Sequence, residues 1–471
     1  MTERRDPGKG KHEETSAAIT ARLDRLPATK TVWRLAALLS IGGMFEFYDL
    51  FFTGYVVPGL VRDGLLAHVR VGIFTGPAAF VAATFGGLFL GTIGFGFVAD
   101  RFGRRPIFTA SLLWYSLCTA IMAFQHTPAG LLAWRLVAGI GIGIELVTID
   151  TYLAELVPKD VRGRAFAFNQ VVQFSAVPVV ALLSWQLVPR APFGIAGWRF
   201  VVLIGALGAV FVWLLRRGLP ESPRWLAGQG RLAEAARITA ALEARVIADR
   251  GGRALPPPLR DAIEEVAAPG HFAEIWRPPY RARTIMLMVF QFFQTIGYYG
   301  FASWVPTLIA EQGIHIGNSL LYAFVIALAN PFGPALALSF ADRIERKWLI
   351  VFAAFGIAAA GLAFAAQRTI PGLVACGVAL TLANNILSFS FHAYQSELYP
   401  TRVRARAVGF VYSWSRLSAV FVSFLIAALL NLGGVPSVFV FIAGAMLVVM
   451  IAIGVFGPAT GGRQLEAISP D

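Results

Sequence analysis

Charge is what this sequence has least of. Asp, Glu, Lys and Arg make up 14% of its 471 residues against 57% apolar, and the mean hydropathy is +0.65. A chain of that length and composition is too apolar for a soluble protein, so it belongs in a bilayer. Cysteine is nearly missing: Cys118 and Cys376 each fall inside an apolar run, which leaves no disulfide framework and no thiolate metal site and gives both a packing role. No His or Cys group has metal-ligand spacing and no Ser-His-Asp arrangement stands out, so the sequence offers no cofactor, no metal and no enzyme chemistry. Gly139-x-Gly141-x-Gly143 fails as a dinucleotide fingerprint for want of a preceding strand and a βαβ unit. Residues 1 to about 32 lack an apolar core before a cleavage site, so no signal peptide is expected.

What the sequence has instead is length in apolar runs. Windows of roughly 20 apolar residues, enough to cross ~30 Å of hydrocarbon, recur about six times on each side of a charged middle segment. The expected fold is an all-α membrane protein of twelve helices in two bundles. The expected division is a cytoplasmic tail (1–32), a first six-helix bundle (33–215), a cytoplasmic linker with amphipathic helices (216–283), a second six-helix bundle (284–456) and a cytoplasmic tail (457–471). Within the linker, 231–250 has helical periodicity and Pro256-Pro257-Pro258 stops it, which predicts a helix lying on the cytoplasmic membrane face. The net charge of +13 does not indicate nucleic acid, because the basic residues are spread over short loops rather than gathered in one patch. Arg101, Arg104, Arg105, Lys159, Arg162, Arg164, Arg343, Arg346, Lys347, Arg402, Arg404 and Arg406 fall in even-numbered connections, so the positive-inside rule puts both termini in the cytoplasm.

The chain repeats itself. Ala99-Asp100-Arg101 with Arg104-Arg105 returns 242 positions later as Ala341-Asp342-Arg343 with Arg346-Lys347. At the same offset, Glu155, Pro158, Arg162, Arg164 and Phe168 return as Glu397, Pro400, Arg404, Arg406 and Phe410. Two loops in register mean a duplicated half.

Charges at membrane depth cost several kcal/mol unless paired or wetted, which makes each a candidate site residue. The first span carries Glu46 and Asp49, three residues apart; the fourth carries Arg135, Glu145 and Asp150. Depth arithmetic at 1.5 Å per residue predicts an Asp49–Arg135 pair, with Glu46 and Glu145 nearer the middle. Such a site is a proton switch if Arg135 can be released, and a packing device if it cannot. The third span looks purely structural. Asp150 and Glu155 are expected to pair with Arg101, Arg105 or Arg162, and Asp100, Asp342, Arg343, Glu397 and Arg404 complete a set of gating residues near the same surface. The duplication maps Asp49 onto Gln291, Arg135 onto Gly377, Glu145 onto Leu387 and Asp150 onto His392, so the first half retains the charges. Proton chemistry is therefore placed in the first half, with Gln291, Gln294, Tyr298, Tyr299, Trp304, Asn384 and Asn385 left to recognise substrate. Arg416, inside Tyr412-Ser-Trp414-Ser-Arg416, is the one midplane charge of the second half. Its planar fork suits a carboxylate, either the substrate's or an acid of the other half; helix carbonyls are the remaining option.

Nearly the whole chain resembles the major facilitator superfamily. Gly96-x-x-x-Asp100-Arg101-x-Gly103-Arg104-Arg105 is similar to its signature between helices two and three, with a weaker copy at 342–347. Arg135-x-x-x-Gly139-x-Gly141-x-Gly143 is similar to a fourth-helix motif tied to proton coupling, and Pro220-Glu221-Ser222-Pro223-Arg224 to a signature of sugar porters and organic-ion carriers. Glu46–Asp49 and Glu145–Glu155 resemble the metabolite:proton symporter and aromatic-acid or nicotinate branches. The resemblance implies a proton-coupled symporter with alternating access, Asp49 and Arg135 as the coupling pair, and a monomer in a bacterial inner membrane. The extra Glu46 and Arg416 favour a small carboxylic acid as substrate. A sugar or other neutral solute is the alternative, and a non-transporting receptor is the reading from another class.

Overall fold

Eleven helical stretches among the described residues are long and apolar enough to cross a bilayer. The last runs over Arg406–Phe456, 51 residues, about 77 Å of helix and more than twice the hydrocarbon thickness. Gly434 divides it at φ 65° and ψ −162°, a backbone conformation in which a side chain would be strained. Twelve crossings result. The computed structural model describes residues 15–71, 74–95, 98–216, 218–258, 271–340 and 344–460.

In chain order the first half holds α1 (Ser16–Asp24), α2 (Lys30–Arg62), α3 (Gly76–Phe95), α4 (Val98–Phe102), α5 (Arg104–Ala123), α6 (Pro128–Leu156), α7 (Lys159–Phe174), α8 (Ala176–Leu187) and α9 (Gly197–Arg216). The connection carries α10 (Pro223–Gly228) and α11 (Leu232–Asp249). The second half holds α12 (Tyr280–Ala302), α13 (Val305–Ala310), α14 (Ile316–Ala327), α15 (Phe332–Phe340), α16 (Arg346–Ala366), α17 (Ile370–Glu397) and α18 (Thr401–Phe456). A two-residue hairpin, β1 (Arg70–Val71) with β2 (Phe74–Thr75), links α2 to α3. α7 with α8 makes one crossing and α14 with α15 another.

Within each half the helices pack in pairs. α3 lies against α6, where a Cβ on Gly87 or Gly143 would run into the partner backbone, and the small residues there let the axes approach. α12 lies along α18. Between the halves, α3 touches α18, α8 touches α14, α7 touches α15 and α2 touches α13. Lipid-facing surface is apolar, as at Leu207, Phe352, Phe355 and Val455, while the charges turn inward or toward the ends.

Two expectations change here. The segment before the first span is not merely a tail: α1, capped by the Thr15 hydroxyl, buries Ile19 and Leu23 against α10 and α11. The helix at 232–249 turns its apolar stripe onto protein: Leu242, Val246 and Ala235 join a second core with Leu23, Leu26, Trp225 and Leu226. The stripe is covered by α1 and α10, which supply matching apolar residues.

Ion pairs fasten this strap. Glu243 of α11 accepts from Arg22 at 2.7 Å and Arg25 at 2.6 Å. Asp24 accepts from Arg224 at 2.6 Å and from the Lys159 backbone N–H at 3.0 Å, with Arg162 at 3.7 Å. Partial burial works to raise the Glu243 pKa, but the hydrogen bonds and charges of Arg22 and Arg25 outweigh it and hold the carboxyl below its ordinary value. A depressed carboxylate contributes stability above its unfolded pKa of about 4.3, and that contribution is lost as pH falls through the folded value. Part-buried pairs of this kind contribute about 1 kcal/mol each. Glu243→Gln is therefore expected to speed tryptic cleavage at Arg22 and Arg25 at pH 7, with little further change on acidification; an unchanged rate would contradict the strap.

Candidate functional site

Asp49 and Arg135 meet in the first half. Asp49 is 2% exposed and Arg135 0%, and Nη1 of the guanidinium donates to Oδ1 of Asp49 at 2.5 Å. A buried guanidinium has five N–H groups to satisfy. Nη2 donates to the Asp49 carbonyl at 2.8 Å and to the Thr53 hydroxyl at 2.6 Å, and Nε donates to Thr84 at 2.8 Å. The Phe52 ring closes one face, 4.5 Å from Arg135 Cζ. On the other carboxylate oxygen, the Thr119 hydroxyl donates to Oδ2 at 2.8 Å.

That arrangement divides the labour. If Asp49 takes a proton, Arg135 loses one charge-assisted bond and retains Thr53, Thr84 and the Asp49 carbonyl. Thr119 turns its hydroxyl to accept from the acid. The carboxyl can thus change charge without releasing the guanidinium. Thr119 lies on α5, so the third crossing, which looks structural in the sequence, contributes directly to the site. Glu46 of α2 and Glu145 of α6 are both fully buried deeper in the same half.

The second centre is Arg416 on α18, 2% exposed. Nη1 donates to the Tyr299 hydroxyl at 2.8 Å and Nη2 to the Tyr412 hydroxyl at 2.9 Å, while Nε is buried with no hydrogen-bond partner. Tyr412 lies beneath the guanidinium, 4.9 Å from Cζ to the ring centre. Tyr299 meets Phe85 of α3 edge-on at 4.5 Å, which places Arg416 at the seam between halves. Across that seam Glu46 and Asp150 lie within electrostatic range of Arg416, and His392, the duplication partner of Asp150, lies within range from α17. The first half thus supplies the carboxylates that the second half lacks. Asp150 is exposed, and among the described residues the cation within electrostatic range of it is Arg416 rather than a loop arginine. Its expected partners, Arg101, Arg105 and Arg162, belong to the end of the helix one to two turns further on.

The seam also holds a narrow cavity between the halves. Phe51 and Tyr55 line it from the first half, and Tyr298, Asn330, Asn384 and Asn385 from the second. Asn385 donates to the Asn330 carbonyl at 3.1 Å, and Oδ1 of Asn384 is buried with no partner. Gln291 and Gln294 are buried and do not line the cavity. Gln294 donates to Gln291 at 3.0 Å and Gln291 to Gln395 at 2.7 Å, an amide relay that no sequence pattern announces for Gln395. Trp414 is half-buried, and neither it nor Arg416 lines the cavity. Trp304 is buried at the start of α13.

At the end of the molecule with the basic loops, the partners of the gating acids differ from expectation. Glu155 accepts from Arg104 at 3.0 Å and not from Arg101, Arg105 or Arg162. Glu397 pairs with Arg346. Arg104 and Arg346 stand 242 positions apart, as do Glu155 and Glu397, so the two halves repeat one bond. Arg101 is exposed against the Phe102 ring, Arg105 gives its backbone N–H to Glu221, and Arg404 donates to the Tyr399 carbonyl. Asp100 lies on α4. Asp342 and Arg343 fall outside the described residues.

Residues 35–471 match the family described as "Sugar (and other) transporter". The chain belongs to that family. It is a multi-pass membrane transporter of the major facilitator superfamily. Among relatives of this transporter, the metabolite transport protein YyaJ of Bacillus subtilis (strain 168) is 31% identical over 97% of this chain and 98% of its own length. The niacin transporter NiaP of Acinetobacter baylyi is 28% identical over 96% and 99%. The partially occluded, inward-open structure of the xylose transporter XylE from E. coli superimposes with a TM-score of 0.73, covering 93% of this chain and 100% of that one at 19% identity. At that identity the likeness shows the fold alone. Small-molecule transport is the activity that the family assigns to this transporter.

Proposed function

We propose that this transporter carries a small carboxylic acid together with protons across a bacterial inner membrane, with both termini in the cytoplasm and a single chain as the working unit. The observation that carries the reading is Arg416: a fully buried guanidinium at the seam, held by two neutral tyrosine hydroxyls, with Nε left as an open donor. Buried charge of that kind calls for an anion, and a carboxylate can take Nε and one η nitrogen together. The tyrosines around it offer ring faces to a flat substrate. A relative named for niacin, an aromatic carboxylate, supports the same chemistry. Asp49 with Arg135 is the proton site, the two halves rock about the seam, and the Arg104–Glu155 and Arg346–Glu397 pairs hold the cytoplasmic side.

Arg416→Ala tests it. Affinity for nicotinate is expected to fall about 100-fold, the loss of roughly 3 kcal/mol for one buried charge-assisted contact. Affinity for nicotinamide, which has the same ring and no charge, changes less than about threefold. Equal losses for acid and amide would overturn the anion role. The amide groups of Asn330, Asn384 and Asn385 at the cavity favour a second reading, a sugar or other neutral solute, which predicts binding of xylose and indifference to Arg416→Ala.

A further inference from the structure

Where α12 begins, aromatic and basic side chains gather outside the transport site. The chain makes a 3₁₀ turn there, at Phe272–Trp276, anchored by the fully buried Ile275, whose carbonyl accepts from the Thr284 hydroxyl at 2.9 Å. Phe272 and Trp276 both meet the Phe410 ring of α18 edge-on, with 5.5 and 5.8 Å between ring centres. Each is 40% exposed, so this three-ring platform packs on α18 with one side and leaves the other open. Arg277 follows the platform and Arg281 stands one turn later, both exposed. On α18, Arg406 is exposed one turn before Phe410.

Depth puts these arginines at the lipid head groups. α12 is 23 residues long, about 35 Å, and overruns ~30 Å of hydrocarbon by about one turn. Arg281 lies in that turn. The turn is at the end with the basic loops, since Arg283 donates to the Leu398 carbonyl at 3.2 Å and the Thr284 and Tyr399 hydroxyls lie 2.9 Å apart, beside the connection from α17 to α18. From Arg281 a stripe of exposed and half-buried residues continues along α12 through Ile285, Val289 and Phe292. From Arg406 another continues along α18 through Phe410, Trp414, Leu417 and Phe421. Spacings of three and four residues keep each stripe on one helix face. The two helices lie against each other, and Ser418, next to Leu417, donates to the Phe292 carbonyl at 2.5 Å. Two apolar stripes thus run side by side along the bilayer, and arginine ends both.

We propose that an anionic phospholipid binds here, with its head group among Arg277, Arg281 and Arg406, its glycerol backbone over the Phe272, Trp276 and Phe410 rings, and its acyl chains along the two stripes. Basic side chains between membrane helices attract a head group of net negative charge, whereas in a zwitterionic one the ammonium offsets the phosphate. The stripes that start at the arginines make a lipid, and not a soluble phosphate, the occupant, and tryptophan suits the boundary between the two parts of such a ligand. Glu274, the carboxylate of the 3₁₀ turn, accepts from the His271 backbone N–H at 2.8 Å. The bound lipid bridges α12 and α18, the helices that supply Tyr299, Tyr412 and Arg416, and so fastens the frame of that centre from outside. Lipid binding there does not depend on which substrate is carried.

The test is native mass spectrometry of the purified full-length chain in detergent, titrated with phosphatidylglycerol and, separately, with phosphatidylcholine of the same acyl chains. The wild type is expected to retain phosphatidylglycerol about tenfold more strongly than phosphatidylcholine. The triple variant Arg277→Gln, Arg281→Gln, Arg406→Gln is expected to hold the two lipids equally. A charge-matched triple variant at exposed arginines on and just after α11, Arg237→Gln, Arg245→Gln, Arg253→Gln, is expected to behave as the wild type does. Equal retention of both lipids by the wild type overturns the site. The same loss in both triple variants also overturns it, because net charge alone would then attract the lipid. Displacement of the lipid by soluble glycerol phosphate overturns the part given to the stripes. Should the first triple variant fail to fold, the wild type decides: in phosphatidylcholine vesicles doped with diazirine-tagged phosphatidylglycerol, crosslinks are expected in peptides covering 272–292 and 406–421. Labelling spread evenly over the lipid-facing helices overturns the proposal.

Discussion

Asp49→Asn is expected to abolish proton-driven accumulation of substrate and to leave exchange of substrate across the membrane intact. The asparagine stands in for the protonated acid: its side-chain oxygen still accepts from Arg135 Nη1, and Thr53, Thr84 and the residue 49 carbonyl retain the other guanidinium bonds. What is lost is the change of charge. The halves can rock with substrate bound, but no step requires a proton gradient. The substitution leaves Arg135 as a buried charge without its counterion, a cost of about 3 kcal/mol in stability, so detergent-solubilised protein should also melt earlier. The check is paired: labelled nicotinate counterflow at equal pH, and net uptake with acid outside. Loss of both would mean that Asp49 serves packing or substrate binding instead.

The second large effect comes from a residue without a side chain. Gly54 of α2 lies against the backbone carbonyl of Ser303, where α12 ends and α13 begins, at the end of the bundle away from the basic loops. A Cβ there would collide with backbone, which cannot turn aside as a side chain would. Closure of the two halves on that side therefore requires glycine. Gly54→Leu is expected to disfavour the closed face by about 3 kcal/mol or more, which lowers its population roughly 100-fold. Net nicotinate flux should fall by a similar factor while binding from the outer side persists. Flux at the wild-type rate would show that the contact at Ser303 does not limit the cycle.

Much of this was legible because a membrane narrows the choices. A charge cannot sit in hydrocarbon without a partner, and a straight helix advances 1.5 Å per residue, so Asp49 and Arg135 find each other by depth alone. Their supporting threonines were not legible. Thr53, Thr84 and Thr119 look like any helix residue, and only the rotation of α2, α3 and α5 turns their hydroxyls onto the pair. Rotation also decides between neighbours: Arg104 and Arg105 differ by about 100° around α5, and packing selects Arg104 for Glu155. The 242-residue repeat carried that answer, since Arg346 and Glu397 occupy the equivalent places. The strap α1 was legible only in Ile19, Leu23 and Leu26, too short a stripe to separate from a tail without seeing the α11 stripe it covers. Arg416 was visible as a charge at midplane depth, but the acids within electrostatic range of it, Glu46 and Asp150, stand hundreds of residues away in the other half.

The central claim is that the seam around Arg416 takes an anion and that protons drive it. The most direct measurement is uptake of labelled nicotinate, benzoate and gallate, with xylose alongside, into proteoliposomes of the purified chain under an inward proton gradient. The account predicts that at least one carboxylate accumulates above its outside concentration, that a protonophore collapses the accumulation, and that xylose does not enter. Accumulation of xylose with none of the acids, or acid uptake that ignores the gradient, would contradict it.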